Sequence, residues 1–70
     1  MAAQAGILPL AAMEKLLKKV GASRVSSDAK EEMRDVLEKY AEMVGEKAIR
    51  MSKHAGRKTV KSTDIKEAAK

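Results

Sequence analysis

Lys15, Lys18, Lys19, Arg24, Lys58 and Lys61, with Thr59 beside Lys58, are the residues of this 70-residue sequence whose type and grouping could do chemistry. That chemistry is the neutralisation of a polyanion. The formal charge of +5 is unevenly spread along the chain. Residues 1–24 carry four bases against Glu14, and residues 47–70 carry eight against Asp64 and Glu67. Residues 25–46 reverse the sign, with seven acids against Lys30, Arg34 and Lys39. Both ends are therefore basic and the middle is acidic. Trp and Phe are absent, and Tyr40 is the single aromatic residue. Interfacial membrane helices use Trp, Phe or Leu at the boundary, and single-stranded nucleic acids stack on aromatic platforms. Double-stranded DNA, held through its phosphates, needs neither.

Other chemistries find no residues to carry them. Without cysteine there is no disulfide or thiolate metal site, and His54, the only histidine, cannot build a metal cage with scattered carboxylates. The acids fall mainly on one long helix, where they are ordinary solubilising charges, so no catalytic constellation forms. The Gly56-Arg57-Lys58-Thr59 segment is not an NTPase phosphate loop: Arg57 occupies that motif's lysine position and the upstream glycine is missing. The expectation is a protein that is not an enzyme, with no metal, cofactor or small-molecule substrate. No apolar run approaches the ~20 residues needed to span a bilayer. Residues 1–12 lack the basic and apolar regions of a signal peptide, and the expected location is the cytoplasm.

Three helices must position the bases. Pro9 fits the first turn of a short helix whose face is Leu10, Met13, Leu16, Leu17 and Val20, and Gly21 ends it. Ala22-Ser23-Arg24-Val25 is then a loop, extended at Arg24-Val25. The stretch from Ser26 to Ala55 repeats apolar residues in steps of three and four: Ala29, Met33, Val36, Leu37, Tyr40, Ala41, Val44, Ala48, Ile49, Met51 and Ala55. Ser26 or Ser27 caps its start, Asp28, Glu31 and Glu32 suit its positive end, and Lys53 and His54 suit the other. Gly56 stands where a left-handed residue is wanted. Asp35–Lys39 and Glu46–Arg50 are favourable pairs four residues apart, but Glu31–Asp35, Glu38–Glu42 and Glu42–Glu46 repel. Gly45 is either a tolerated glycine on a solvent edge or the place where another backbone comes close. After the β-leaning Arg57–Lys61 loop, Ser62 or Thr63 caps a last helix with Ile65, Ala68 and Ala69 inward. Residues 1–8 read as a flexible tail and 9–70 as one domain.

About 28 helical residues make a rod of roughly 42 Å, longer than a compact 70-residue domain is wide. Chains this short seldom bury enough apolar surface alone. Its stripe calls for a partner chain.

The pattern resembles that of archaeal histones, the minimal histone fold. The resemblance rests on Arg50-Met51-Ser52-Lys53-His54-Ala55-Gly56-Arg57-Lys58-Thr59-Val60-Lys61 followed by Asp64-Ile65, on Gly21-Ala22-Ser23-Arg24-Val25-Ser26, and on Leu8-Pro9-Leu10-Ala11. It covers about residues 8–70. It implies an all-α histone fold in which two chains form an intertwined head-to-tail dimer with crossed long helices. The first loop of each then lies beside the second loop of the other, dimers join through a four-helix bundle, and DNA wraps the assembly. The related eukaryotic octamer wraps DNA through minor-groove arginines and phosphate contacts without reading bases.

Residue by residue, the resemblance implies minor-groove insertion by Arg24 beside the partner's Lys58 and Thr59. Lys15, Lys18 and Lys19 contribute phosphate contacts unequally, since Lys15 and Lys19 share a face and Lys18 points about 60° away. Lys61 is a weaker candidate. Met51, His54 and Asp64 are implied at the dimer–dimer contact, with His54 of one dimer meeting Asp64 of the next. Arg57 and Asp64 are expected to pair within one chain. Gly21, a helix stop in its own right, is implied to let turns of a DNA superhelix stack closely.

Three departures stand out. Lys15 replaces the arginine of many members and acts as a point charge. The N-terminal tail is longer than usual, and the last helix stops at Lys70, short of residues that often follow. The expected function is a chromosome-associated architectural protein that wraps and compacts double-stranded DNA, pairing with itself or with histone paralogues. The rival is a histone-fold pairing scaffold that hardly binds DNA, which the acidic centre of the long helix favours.

Overall fold

The computed structural model describes residues 6–70. Those residues hold α1 (Leu10–Lys19), α2 (Ser27–His54) and α3 (Ser62–Ala68), with no strand among them. This is the short–long–short helical order that the periodicity demanded. The chain divides into two compact units, Met1–Lys39 and Tyr40–Lys70, and the division falls inside α2.

In the first unit, Pro9 is extended (φ −71°, ψ 140°) and caps α1 instead of entering its first turn. Its carbonyl accepts the Ala12 and Met13 amides at 3.2 and 3.4 Å. Of the expected apolar face, Met13 is buried, Leu10 and Leu17 are half-buried, and Leu16 is exposed. Val20 leaves the helix and is 82% exposed, because the chain turns at Gly21, one residue on. Residues 1–5 of the expected tail lie outside the described residues. Leu8 donates its amide to Glu38 at 2.6 Å, which ties the chain just ahead of α1 to α2. Glu14 pairs with Lys18 at 3.1 Å and with Lys30 at 3.5 Å, and those two cations hold its carboxyl below the ordinary value, the Lys18 hydrogen bond first.

Ser26 caps α2: its hydroxyl accepts the Ala29 amide at 3.2 Å and donates to Asp28 at 2.7 Å. That bond, then the Asp28 and Ala29 amides, lowers the Asp28 pKa. An acid at the positive end of the helix is thereby kept ionised.

In the second unit the buried residues are small: Ala48, Ser52 and Ala68. Ala48 and Ser52 are one turn apart on α2, and the Ser52 hydroxyl is satisfied by the Ile49 carbonyl at 3.0 Å. Tyr40 donates its hydroxyl to the Ala69 carbonyl at 3.4 Å, joining α2 to the end of α3. Lys61, not Ser62 or Thr63, is the N-cap of α3. Its amide goes to Asp64 Oδ2 at 2.8 Å, so the carboxylate three residues on supplies what a cap hydroxyl would have supplied. Ala68 faces inward as expected, but Ile65 is 43% exposed and Ala69 is exposed. Neither Asp35–Lys39 nor Glu46–Arg50 forms an ion pair among the described residues.

Candidate nucleic-acid interface

Each of the two interhelical loops begins with the same device. After α1, the Gly21 amide bonds the Lys18 carbonyl and the Ala22 amide bonds the Leu17 carbonyl, both at 3.1 Å. After α2, the Gly56 amide bonds the Lys53 carbonyl and the Arg57 amide the Ser52 carbonyl, both at 2.9 Å. This is the doubly bonded Schellman ending, which takes up carbonyls that the helix leaves orphaned and requires a positive φ at its glycine. Gly21 has φ 118° and Gly56 has φ 76°. A Cβ built on Gly21 meets nothing within 4 Å, so within this chain the backbone alone demands glycine there.

Beyond the shared device the loops differ. Ala22–Val25 carries Arg24, which is exposed, and its side chain makes no ion pair or hydrogen bond among the described residues. An open hollow of about 500 Å³ beside it is lined by Leu17, Ala22, Arg24, Val25, Ser26 and Ala29. The second loop is pinned. Arg57 holds Asp64 in a bidentate pair, Nη1 to Oδ2 at 2.9 Å and Nη2 to Oδ1 at 3.0 Å. The same Nη1 donates to the Thr59 carbonyl at 2.8 Å. The Thr59 backbone is thus drawn inward, while the side chains of Lys58 and Thr59 stay exposed. Asp64 is 4% exposed, and its pKa falls to about 2, driven first by the Arg57 bond and next by the Lys61 amide. Arg57 is raised in turn, chiefly by Asp64.

The remaining candidate residues fall as follows. Lys15, Lys18 and Lys19 are all exposed on α1. Lys18 is engaged by Glu14, whereas Lys15, Lys19, Lys58 and Lys61 form no ion pair among the described residues. The Glu14–Lys18 spacing was readable from sequence as a favourable pair four residues apart, and it ranks Lys18 below its neighbours. Met51 and His54 line one shallow hollow of about 690 Å³ with Lys47, Arg50 and Ala55. Asp64 is not among its lining residues. Lys47 and Arg50 were missed as neighbours of Met51 and His54, although steps of three and four from residue 47 would have found them. Met43 was missed as well: it completes a face with Val36 and Tyr40 at the same spacing, and all three are exposed.

A cluster of at least three potential metal ligands is absent among the described residues, and no helix there is long and apolar enough to cross a membrane. Residues 7–69 match the family model described as histone-like transcription factor (CBF/NF-Y) and archaeal histone. The archaeal histone HAN1 of Thermococcus zilligii is 49% identical over 63 residues, which span 90% of this chain and 94% of that one. Probable archaeal histone 3 of Methanocaldococcus jannaschii is 44% identical over 61 residues, spanning 87% and 91%. A short–long–short helical chain with basic loops and no catalytic cluster is what such a match requires. The chain therefore belongs to the family of histone-like transcription factors and archaeal histones, as a histone-fold protein with an architectural, DNA-binding role and not an enzymatic one.

Proposed function

We propose that this protein wraps and compacts double-stranded DNA as an intertwined dimer, with residues 9–70 acting as one histone-fold domain and with little direct base readout. The observation that carries the reading is the state of its cations. Lys15, Lys19, Arg24, Lys58 and Lys61 are exposed and form no ion pair among the described residues. Cations already committed to carboxylates would release fewer counterions on meeting phosphate. Arg24 inserts into the minor groove, Lys58 and Thr59 of the partner chain hold the adjacent phosphate, and Lys15, Lys18, Lys19 and Lys61 add phosphate contacts.

Pairing is supported by the apolar surface that one chain leaves bare. Val36, Tyr40 and Met43 are half or more exposed, and the buried apolar residues are Met13, Ala48 and Ala68. Tyr40 stands at the middle of α2, where two such helices would cross. A Cβ on Gly45 meets nothing within its own chain, which leaves room for a second backbone. Dimers then join through Met51 and His54, with His54 reaching Asp64 of the next dimer. Gly21 keeps the first loop low enough for successive turns of DNA to stack. The assembly is chromosome-associated, in the cytoplasm.

The test is binding to unrelated random duplexes across a salt series. A log–log slope on the order of −5 or steeper is expected, from about 0.9 per neutralised phosphate. Arg24→Ala is expected to weaken binding about equally on every sequence and to flatten the slope by about one for each phosphate no longer neutralised. Near salt-independence overturns the wrapping reading, and weakening confined to one sequence replaces it with direct readout. The acidic run Glu31, Glu32, Asp35, Glu38, Glu42 and Glu46 favours a second reading, a pairing scaffold with weak DNA binding. No shift of random duplex in a gel at low salt would select it. Nuclease digestion of the complex separates a closed particle, which protects one length, from open-ended growth, which leaves a ladder.

A further inference from the structure

We propose that Met43 is an oxidation site that controls pairing: a hydroperoxide converts it to the sulfoxide in the free chain, and the oxidised chain no longer pairs. The inference rests on the pairing reading above.

The methionines of this chain differ sharply in access. Met13 is 2% exposed, Met33 and Met51 are half-buried, and Met43 is 62% exposed. Met43 lies at the centre of the bare face of α2, three residues after Tyr40 and seven after Val36, both exposed. It also lines an open groove of about 280 Å³ with Tyr40, Val44, Ala68 and Ala69. A thioether suits such a face because it is apolar and adapts its shape to a partner. The same thioether is the oxidisable atom of the face, since the chain has no cysteine.

In the reaction the Met43 sulfur attacks the terminal peroxide oxygen. An S–O bond forms as the O–O bond breaks, sulfur gives up two electrons, and the departing oxygen leaves as water (or an alcohol) after proton transfer. The product is polar and chiral where the face was apolar. Burying that S=O without a donor opposes pairing by roughly tenfold to a hundredfold in affinity. Pairing in turn covers the sulfur, so the modification marks chains that have not found a partner. Methionine sulfoxide reduction restores them.

The experiment treats the full chain with hydrogen peroxide at high dilution and at high concentration in moderate salt, followed by peptide mass mapping and sedimentation. Met43 is expected to oxidise first and faster in the dilute sample, with Met13 the slowest. The Met43-oxidised protein is expected to sediment as a single chain, and Met43→Leu to stay paired through the same treatment. Oxidation of Met43 no faster than Met13, or oxidised protein that pairs as tightly as untreated protein, overturns the proposal alone. Untreated protein and Met43→Leu that both sediment as folded single chains overturn the pairing reading, and this proposal with it.

Discussion

The loops before and after α2 end their preceding helices identically and then part ways. Gly21 and Gly56 each close a Schellman ending through positive φ. The Arg24 loop then runs without a side-chain anchor, whereas Arg57 ties the Lys58-Thr59 loop to both the Thr59 carbonyl and the Asp64 carboxylate. Two basic loops can thus serve one polyanion by different routes. One offers an arginine free to adjust to a groove, and the other holds its threonine and lysine in a set frame. Stopping a helix is a local matter of backbone geometry. Pinning a loop takes a partner seven residues on.

The largest break in this comparison is expected from Asp64→Ala. It removes the bidentate pair and the acceptor for the Lys61 amide together. Amide exchange should accelerate through residues 57–66 and remain unchanged over 21–25, with a larger fall in thermal midpoint than for the variants below. Acid should imitate it. The folded pKa of Asp64, about 2, lies below its unfolded value near 4, so the stabilisation is present above pH ~4 and is lost as pH falls towards 2. Asp64→Asn should lack that acid-dependent component in a pH series of melts.

Next come Gly21→Ala and Gly56→Ala, each expected to cost about 1–2 kcal/mol because an L side chain is forced to positive φ. Denaturant melts should give similar losses for the two. Their effects on DNA affinity should differ, since the Arg57 pin preserves the second loop after Gly56→Ala and nothing comparable restores the first after Gly21→Ala. Equal effects on affinity would remove the distinction between a free and a framed loop. The smallest expected effect is that of Ser26→Ala, about 1 kcal/mol for loss of an exposed N-cap, read as fraying of the first turn of α2 by circular dichroism. Asp28 should titrate closer to its ordinary value in that variant, because the Ser26 bond is the main cause of its shift.

Much of this was legible in the chain because it is local. Three- and four-residue steps set three helices, Ser26 and the two glycines set their ends, and the segregation of lysine and arginine from carboxylates selected a polyanion as partner. These depend on neighbours within one helical turn, which sequence spacing reports directly. Tertiary packing decided the rest. Periodicity put Val20 and Ile65 on apolar faces, but the turn at Gly21 leaves Val20 in solvent, and no part of the single chain covers Ile65. Serine and threonine looked like the caps of α3, yet a carboxylate held by Arg57 took the Lys61 amide instead. Asp35 and Lys39 have the spacing of an ion pair but do not form one. Spacing alone says which side chains can meet, and burial, charge competition and the exact path of the backbone decide which do.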